Sequence, residues 1–431
     1  MNLILTGILA FLAWTATAEL EIVYNWTYVN YTWPNDTSEE TAVAAGKYNT
    51  TNIIVCDFDV IGIYNRFVNT NLQPVINGLP GDDVFVVTPR YNDNPASLSR
   101  VSNQTGDGGP LLEPYPSWDW HTSENCSGIT SVNRIAKDNC NRLWMVDSGK
   151  IGDDQICPAQ LLAFNVTTDN LLLRKEVSDN LTHNSQDSSR GWIEIQQVIT
   201  EGDSCENVTV FMGDPEGYGM VIWNGVDMWR IQKEFFAPNE TGFDNDTVLR
   251  KEWGISNYVY LPNTFAVGPF LMFGPLLSYE IYVVPVSDLR NEDSNITFYK
   301  SNRTLPTMVT TRIVTDSGIL MGGYVGWQCI TCWNVQNPIA LEYIVNLTGN
   351  SLGQDTFSAK SVKRSDSDNE EYWQITSTVP KYSPFTLNIS NINFVISYSD
   401  VVSLVNGTAC EVQETSSNRT IGDTNFLPYE D

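Results

Sequence analysis

The sequence predicts an all-β protein with the fold of a six-bladed β-propeller. Short apolar runs of strand type end at turn residues, in sets that recur at intervals of roughly 50 to 75 residues. A propeller solves the edge-strand problem of such sets by radial repetition. No linker rich in Pro, Gly and Ser interrupts the chain, which disfavours the alternative of a two-domain β-sandwich array. We predict an arm over residues 19–52, the propeller over 53–415 and a tail over 416–431.

In the first half of the chain, a polar lead-in at Asp36–Asn52 precedes a first strand at Val84–Thr88. Two fuller sets follow, bounded by turn signals such as Asp147-Ser-Gly and Asn224-Gly225. Their strands are predicted at Leu143–Val146, Leu161–Asn165, Leu171–Glu176, Val208–Met212, Met220–Trp223 and Met228–Gln232.

The second half repeats the pattern with a last, shorter set. Its strands are predicted at Leu271–Gly274, Glu280–Val284, Thr297–Tyr299, Ile319–Gly323, Ile330–Trp333, Leu341–Val345, Asn393–Tyr398 and Val401–Val405. A chain of 431 residues is large for one core, but each pair of neighbouring blades can form its own apolar layer. The 13 Trp, 19 Tyr and 17 Phe supply the bulk for those layers.

Residues 1–18 are predicted to be a secretory signal peptide, with an apolar segment at Leu3–Trp14 and the cleavage motif Ala16-Thr17-Ala18. No later run is long and apolar enough for a membrane span, so we expect a secreted, extracellular protein. Seventeen N-x-Ser/Thr sequons predict N-glycosylation. Their asparagines are Asn25, Asn30, Asn35, Asn49, Asn103, Asn125, Asn165, Asn180, Asn207, Asn239, Asn245, Asn295, Asn302, Asn346, Asn388, Asn406 and Asn418.

The formal net charge of −27 argues against partners that need a positive surface, namely nucleic acid and anionic membranes. It favours solubility, and an acidic surface biases any ligand toward cationic or neutral molecules. The chain could also form homo- or hetero-oligomers in a secretion, which charge alone does not decide.

Eight cysteines in an exported chain suggest disulfides, whose connectivity the sequence alone does not fix. Cys329-x-x-Cys332 has the spacing of a metal or redox motif. Zinc would need two more nearby ligands, and a redox motif would need a thioredoxin-like context, so we predict no metal site there.

Catalytic residues are scarce. His121 and His183 are the only histidines, and neither lies in a recognisable triad. The sequence contains no G-x-S-x-G elbow, P-loop, dinucleotide fingerprint or EF-hand loop. We therefore predict no catalytic residue, no cofactor and no enzymatic activity.

The most distinctive stretch spans residues 106–149. It carries Gly106-Asp-Gly-Gly-Pro-Leu-Leu-Glu-Pro-Tyr-Pro116, Cys126-Ser-Gly-Ile129 and Arg142-Leu-Trp-Met-Val-Asp-Ser-Gly149. Its prolines exclude a helix and predict an extended strap over a β core. Together with Cys332-Trp-Asn334, these motifs resemble the major royal jelly protein and Yellow family of insects, closer to the royal jelly branch. The resemblance extends from about Tyr91 to Cys410.

This resemblance implies six blades and the disulfides Cys126–Cys140, Cys157–Cys205 and Cys332–Cys410. The short separation of the first pair around a predicted turn supports that pair. Cys56 and Cys329 fall outside the family pattern, and they either pair with each other or remain thiols.

The propeller axis is the predicted ligand site, because strand ends and the loops after them meet there in a concave mouth. Candidate lining residues are Asp147, Asp214, Tyr218, Thr310, Thr311, Tyr324, Trp327 and Gln328. Yellow-like proteins that bind biogenic amines use polar and aromatic side chains at this mouth, and Thr310 or Thr311 and Gln328 fall in the matching segments. Met321-Gly322 and Trp253 depart from the family pattern, so ligand identity does not carry over.

The resemblance implies a nutritive or storage protein of a glandular secretion, with binding of a small apolar or amine ligand, such as a sterol or a biogenic amine, in the axial pocket. The alternative is an enzyme that converts dopachrome in melanin formation, as some Yellow proteins do. The scarcity of histidine argues against proton shuttling near neutral pH, although Asp, Glu or Tyr could take that role.

Overall fold

The computed structural model describes residues 20–62, 82–238, 253–412 and 426–429, apart from short gaps within these ranges. The gaps are residues 36, 93, 122–125, 203, 263–267, 277, 293, 307–308, 325–326, 349–353, 364–368 and 379–385. The predicted signal peptide and the sequons at Asn125, Asn239, Asn245 and Asn418 lie outside the described residues. No helix in the described ranges is both long and apolar enough to cross a membrane.

The prediction of a six-bladed β-propeller is confirmed. Six antiparallel sheets follow one another along the chain, and their innermost strands contact one another in a ring around an axis. From the axis outward, blade 1 contains Asp57–Gly62, Asp82–Val87, Leu98–Gly106 and Gly109–Pro114. Blade 2 contains Val132–Lys137, Arg142–Asp147, Gln160–Asn165 and Asn170–Glu176. Blade 3 contains Glu194–Glu201, Asn207–Asp214, Gly219–Trp223 and Met228–Gln232.

The second half of the chain forms the other three blades. Blade 4 contains Ile255–Leu261, Phe270–Pro275, Tyr282–Pro285, Phe298–Ser301 and, outermost, Phe426–Tyr429. Blade 5 contains Val309–Val314, Ile319–Tyr324, Thr331–Asn334 and Val345–Asn346. Blade 6 contains Asp355–Lys363, Glu370–Ser377, Phe394–Asp400 and, outermost, Glu21–Trp26.

Short elements complete the fold outside the blades. They are a two-stranded hairpin of Lys150–Ile151 and Asp154–Gln155, helices Ser38–Ala44 and Val401–Val405, and 3-10 turns at Trp118–His121, Asp179–Leu181, Glu234–Phe236, Val286–Leu289 and Leu341–Tyr343.

The first and the last strands that the structure describes belong to blades, which corrects the predicted boundaries of arm and tail. Glu21–Trp26 pairs antiparallel with Phe394–Asp400, so the first described strand closes the ring at blade 6. Phe426–Tyr429 pairs with Phe298–Ser301 and adds a fifth strand to blade 4. The predicted arm therefore contributes a strand and the predicted tail contributes another.

Two predicted strands are wrong. Val401–Val405 is a helix whose N-cap, Asp400, accepts a hydrogen bond from the backbone N–H of Ser403 at 2.7 Å. An aspartate directly before an apolar run is a helix-start signal, and it overrides the strand preference of the valines. Leu341–Val345 is mostly a 3-10 turn, and its only strand residue is Val345.

The glycines of the 106–116 motif form a seam between blade 1 and the N-terminal segment. A Cβ on Gly109, whose φ is +133°, would lie 2.5 Å from the backbone oxygen of Asn25. A Cβ on Gly108 would lie 2.4 Å from the backbone oxygen of Tyr28. The indole N–H of Trp26, which is fully buried, donates to the backbone oxygen of Pro110 at 2.7 Å. The motif therefore packs backbone against backbone where the ring closes.

Six apolar clusters of the described residues lie between neighbouring blades. Trp26 and Trp373 belong to the layer between blades 6 and 1, and Trp144 and Trp223 to that between blades 2 and 3. The remaining layers lie between blades 1 and 2, 3 and 4, 4 and 5, and 5 and 6. Each blade thus buries both of its faces, as a propeller requires.

Three disulfides are present in the structure, but two of the three predicted pairings are wrong. The bonds join Cys126 to Cys157, Cys140 to Cys205, and Cys332 to Cys410. Cys126 and Cys140 flank opposite ends of the innermost strand Val132–Lys137. Six strand residues span about 20 Å, whereas a disulfide needs Cα atoms within about 7 Å. Cys126 and Cys140 therefore lie on opposite faces of the propeller, although they are close in sequence.

Two of the three bonds join neighbouring blades, whereas Cys126–Cys157 joins the segment before blade 2 to a loop of the same blade. Cys140–Cys205 joins the first turns of blades 2 and 3, and Cys332–Cys410 joins blade 5 to the segment after the last strand of blade 6. Cys56 and Cys329 are both buried thiols outside the disulfides.

Candidate functional site

The innermost strands bring buried polar side chains together at the propeller axis. These side chains form what we call the axial network: Asp57, Asp59, Arg134, Glu194, Gln196, Asn257, Ser358 and Lys360. Most of them are nearly inaccessible to solvent, and Asp57 is fully buried. Buried polar groups of this kind are retained when they are hydrogen-bonded to one another.

Blades 6, 1 and 2 meet at Asp57. Its carboxylate accepts hydrogen bonds from the backbone N–H of Ile135 at 2.9 Å and from the Ser358 hydroxyl. The Lys360 ammonium lies 3.4 Å from Asp57 and 3.8 Å from Asp59, and it donates to the backbone oxygen of Ile135 at 2.9 Å. Burial alone would raise the pKa of Asp57, but the charges of Lys360 and Arg134 together with the hydrogen bonds outweigh burial and hold the pKa below its usual value.

The network continues through blades 2 to 5. Arg134 Nε lies 2.9 Å from Glu194 Oε1, and the amide of Gln196 donates to the same carboxylate at 2.6 Å. The side-chain oxygen of Gln196 accepts from the backbone N–H of Asn257 at 3.0 Å. The Asn257 amide in turn reaches the backbone oxygen of Val309 at 3.5 Å. Hydrogen bonds therefore cross four consecutive blade boundaries from blade 1 to blade 5.

Register irregularities aim some of these side chains. The innermost strands of blades 2 to 6 each change register against their second strands close to their first residues, whereas blade 1 pairs without a shift. Gln196, Asn257 and Thr310 lie at such irregularities, and Asn257 has a φ of +56°. A bulge inserts an extra residue and redirects its side chain, and bulges recur near functional sites.

The axial mouth is the face where the innermost strands begin and the second strands end. Tyr91 and Trp192 lie there with ring centroids 5.7 Å apart. The Tyr91 hydroxyl donates to the side-chain oxygen of Asn133 at 3.2 Å, and Lys150 Nζ lies 5.6 Å from the Trp192 ring centroid. Tyr91 is half-buried, whereas Trp192 and Asn133 are buried. An aromatic side chain beside a few polar groups is typical of a small-molecule site.

Asp147 and Asp214 end second strands at this face, as the sequence indicates, but their carboxylates are fully buried. Asp147 accepts hydrogen bonds from the backbone N–H groups of Thr130, Ser131 and Gly149. These bonds hold the loop that leads into the innermost strand of blade 2.

Asp214 plays the same role in blade 3. It accepts from the backbone N–H of Trp192 at 2.7 Å and forms an ion pair with Arg230 at 2.8 Å. Burial raises the pKa of Asp147 and of Asp214, which marks both as costly buried groups. The structure therefore makes both aspartates positioning residues for the mouth, and neither is exposed to a ligand.

The other predicted residues form two separate groups. The Arg190 guanidinium lies over the Tyr218 ring, 4.4 Å from the ring centroid, and Tyr218 packs against the layer between blades 3 and 4. In blade 5, Tyr324 is buried with its ring centroid 5.3 Å from that of Trp327. Thr311 is also buried, and Gln328 is half-buried with a φ of +47°. Thr310 lies in the strand Val309–Val314, and its side chain lies outside the described atoms.

The described histidines do not form a catalytic group. His121 is buried, and burial followed by the charge of Arg90 lowers its pKa to about 3, so the ring is neutral. His183 lies 3.6 Å from the exposed Asp179. Within the described residues, no cluster of three or more His, Cys, Asp or Glu side chains could hold a metal ion.

Sequence reasoning missed the axial network and the Tyr91–Trp192 pair. The signal was present in polar residues that alternate with apolar ones upstream of predicted strands, as in Asp57-Phe-Asp-Val and Glu194-Ile-Gln. Such alternation indicates a strand with one polar face.

The fold and the site define the class of protein. It is a six-bladed β-propeller with a hydrogen-bonded polar axis and disulfide bonds. The sequence model of the family described as major royal jelly protein matches residues 130–410. The chain belongs to the major royal jelly protein family.

Individual relatives cover almost the whole chain. Major royal jelly protein 9 of Apis mellifera is 28% identical over 411 residues, which are 92% of this chain and 91% of that protein. Major royal jelly protein 8 of Apis mellifera is 27% identical over 412 residues, 91% of this chain and 93% of that protein. Dopaminechrome tautomerase of Drosophila melanogaster is 26% identical over 426 residues, 93% of this chain and 86% of that protein.

Solved structures show weaker likeness. A regucalcin from Agrobacterium tumefaciens is similar at a TM-score of 0.40 and 8% identity, covering 73% of this chain and 86% of that chain. A streptogramin B lyase is similar at a TM-score of 0.37 and 9% identity, covering 74% of this chain and 76% of that chain.

Proposed function

We propose that this protein is a secreted, acidic glycoprotein that serves as a nutritive or storage component of a glandular secretion. Its similarity to royal jelly proteins over nine-tenths of its length carries the proposal. The signal-peptide pattern and the net charge of −27 support it. Of the sequon asparagines that the structure describes, all except Asn30 and Asn165 are exposed, as glycosylation requires.

Two measurements test this role. Intact mass before and after glycosidase should show loss of sugar from a chain that begins at Glu19. Quantitative mass spectrometry of the glandular secretion should find the protein among its abundant components. A protein that retains residues 1–18, loses no mass and is scarce in the secretion would contradict the proposal.

We further propose that the axial mouth binds a small amine or sterol. The support is the aromatic pair Tyr91 and Trp192 beside the polar Asn133, on the face where loops from several blades converge. Calorimetry with dopamine as the amine and cholesterol as the sterol tests it. Tyr91→Phe should weaken binding severalfold, whereas the exposed Gln104→Ala should not. Binding that is unchanged in Tyr91→Phe would place the site elsewhere, and no binding of either molecule would contradict this proposal and leave the storage role standing.

An enzymatic role is the second candidate, because the tautomerase of Drosophila melanogaster matches 93% of this chain. The test is the rate at which purified protein converts dopaminechrome, followed by absorbance and by product analysis. A rate above that of heat-denatured protein, reduced by Tyr91→Phe, would support it. A rate equal to that of the denatured control would exclude it.

A further inference from the structure

Arg312, on the innermost strand of blade 5, is a buried cation to which the described part of the chain gives no hydrogen-bond acceptor. Its residue is 6% exposed, and its Nε and Nη1 atoms are buried without a partner. Burial lowers the pKa of Arg312 to about 10, which still leaves the guanidinium charged at neutral pH. A buried charge without a counter-charge is strongly unfavourable, and buried charges in proteins are normally paired.

The strand register shows where this side chain points. Arg312 pairs with Gly322, and Gly322 alternates with Leu320 and Tyr324, which belong to the layer between blades 4 and 5. On blade 4, a Cβ on Gly274 would lie 3.3 Å from Arg312 Nη2. The guanidinium therefore reaches across the layer to the second strand of blade 4, and the missing side chains of two glycines make room for it.

A second buried donor lies at the same place. Ser256 is 1% exposed, and its hydroxyl has no hydrogen-bond partner among the described residues. Ser256 is the ladder partner of Gly274, so the two share a face of blade 4. Gly274 alternates with Met272, which belongs to the layer between blades 4 and 5, so this face is turned toward Arg312. Arg312 and Ser256 thus face the same layer from opposite blades, and the Nε and Nη1 atoms of Arg312 and the Ser256 hydroxyl all lack a hydrogen-bond partner among the described residues.

The acidic side chain in this neighbourhood is already engaged. The backbone oxygen of Glu280 lies beside Gly274, but its carboxylate pairs with Lys300 at 2.5 Å and accepts from the Tyr282 hydroxyl at 2.6 Å. The Tyr324 hydroxyl does not supply a negative charge either, because burial raises its pKa to about 12.

A narrow cavity adjoins the guanidinium. All of its lining residues belong to blade 5, among them Arg312, Thr311, Gly322, Tyr324 and Thr331. The cavity has room for about one water-sized sphere. An occupant that balances the guanidinium charge there must therefore be a small anion.

We propose that Arg312 and Ser256 form a binding site for one chloride-sized inorganic anion between blades 4 and 5. A monovalent anion balances the single guanidinium, and a halide accepts hydrogen bonds from the guanidinium and the hydroxyl without geometric restriction. Phosphate and organic carboxylates exceed the available space. The site is independent of the axial mouth and of any ligand there, and it would make the packing of these two blades depend on the anion.

Thermal unfolding of the full-length protein tests the proposal. Chloride is varied from about 1 to about 200 mM, with sodium gluconate keeping the ionic strength constant, because a ligand that binds only the folded state raises the Tm with its concentration. The wild-type Tm should rise by a few degrees. Arg312→Met should abolish the rise and Ser256→Ala should reduce it, whereas the exposed Arg303→Met should leave it unchanged.

Diffraction from wild-type crystals soaked in sodium bromide provides a test that needs no variant. An anomalous peak between the Arg312 guanidinium and the Ser256 hydroxyl, together with the Tm dependence, would support the site even if Arg312→Met does not fold. A Tm that does not change with chloride concentration would overturn the proposal. Density for water or for a carboxylate of this chain between Arg312 and Ser256 would also overturn it.

Discussion

Arg134 of blade 2 and Glu194 of blade 3 form an ion pair at the propeller axis, with Arg134 Nε 2.9 Å from Glu194 Oε1. The side chains are only 11% and 4% exposed. The pair lies within a network that also contains the ion pair of Asp57 and Lys360, so buried charged groups at the propeller axis are paired with one another. Burying both charges of a pair is costly in itself, and removing one partner leaves an uncompensated buried charge.

Glu194→Gln should therefore lower the free energy of unfolding by about 3 kcal/mol, because Arg134 keeps its charge and loses its carboxylate partner. Urea unfolding measures the effect. Lys363→Met, which removes an exposed pair with Asp316, serves as the control and should cost less than about 1 kcal/mol. If both substitutions lower the free energy of unfolding equally, the buried axial pair contributes no more to stability than the exposed pair does.

The disulfide pattern predicts which blades separate first. Replacing both Cys140 and Cys205 by serine should lower the free energy of unfolding by about 2 to 5 kcal/mol and loosen blade 2 from blade 3, since that bond joins them.

Non-reducing peptide mapping should find Cys126 linked to Cys157. A peptide that links Cys126 to Cys140 would contradict the structure.

We predict that the buried, neutral His121 makes the free energy of unfolding fall in mild acid. Its pKa is about 3 in the folded protein and about 6.5 when unfolded, so the unfolded state binds the proton first. The stability that neutral His121 provides is complete above pH 6.5 and is lost progressively toward pH 3. In the wild type, His121 should lower the free energy of unfolding by up to about 1.4 kcal/mol for each pH unit between about 7 and 4.5. His121→Gln should remove this contribution, and the urea midpoint should then depend less on pH than it does in the wild type.

His183→Gln is the control for that experiment, because this side chain is half-buried and contacts only the exposed Asp179 and the backbone oxygen of Asn184 among the described residues. It should leave the slope unchanged. If His121→Gln and wild type lose stability in parallel, His121 does not govern the acid sensitivity.

We expect Asp214 to stabilise the folded protein and not to contact a ligand. Asp214→Ala removes the buried partner of Arg230 and the acceptor for the Trp192 N–H, and it should destabilise the protein by about 3 kcal/mol or more. The exposed Asp227→Ala should be nearly neutral. Thermal unfolding compares the two, and a stable Asp214→Ala protein would argue against the positioning role.

The sequence was sufficient for the fold class and for most outer strands. The second strands, such as Arg142–Asp147 and Ile319–Tyr324, are buried on both faces, so they stand out as continuous apolar runs. The innermost strands escaped detection because axial side chains such as Asp57 and Arg134 interrupt their apolar pattern and register shifts break the alternation. Those same interruptions build the candidate site.

The site residues and the disulfides required three-dimensional information. Asp147 is close to the axial mouth, as expected, but the direction of its carboxylate depends on the loop at Thr130 that it binds. Arg312 was not singled out from the sequence, because the features that isolate it, Gly322 and Gly274, lie on other strands.

The C-terminal strand Phe426–Tyr429 has a consequence for handling the purified protein. It covers the outer edge of Phe298–Ser301, and the Tyr429 ring packs 5.2 Å from that of Phe235 and 5.6 Å from that of Tyr282. Carboxypeptidase trimming through these four residues would uncover a row of backbone donors and acceptors beside newly exposed aromatic rings. Uncapped strand edges invite pairing between molecules. A preparation that loses this short segment should pass from monodisperse to aggregating during storage while the six blades remain folded.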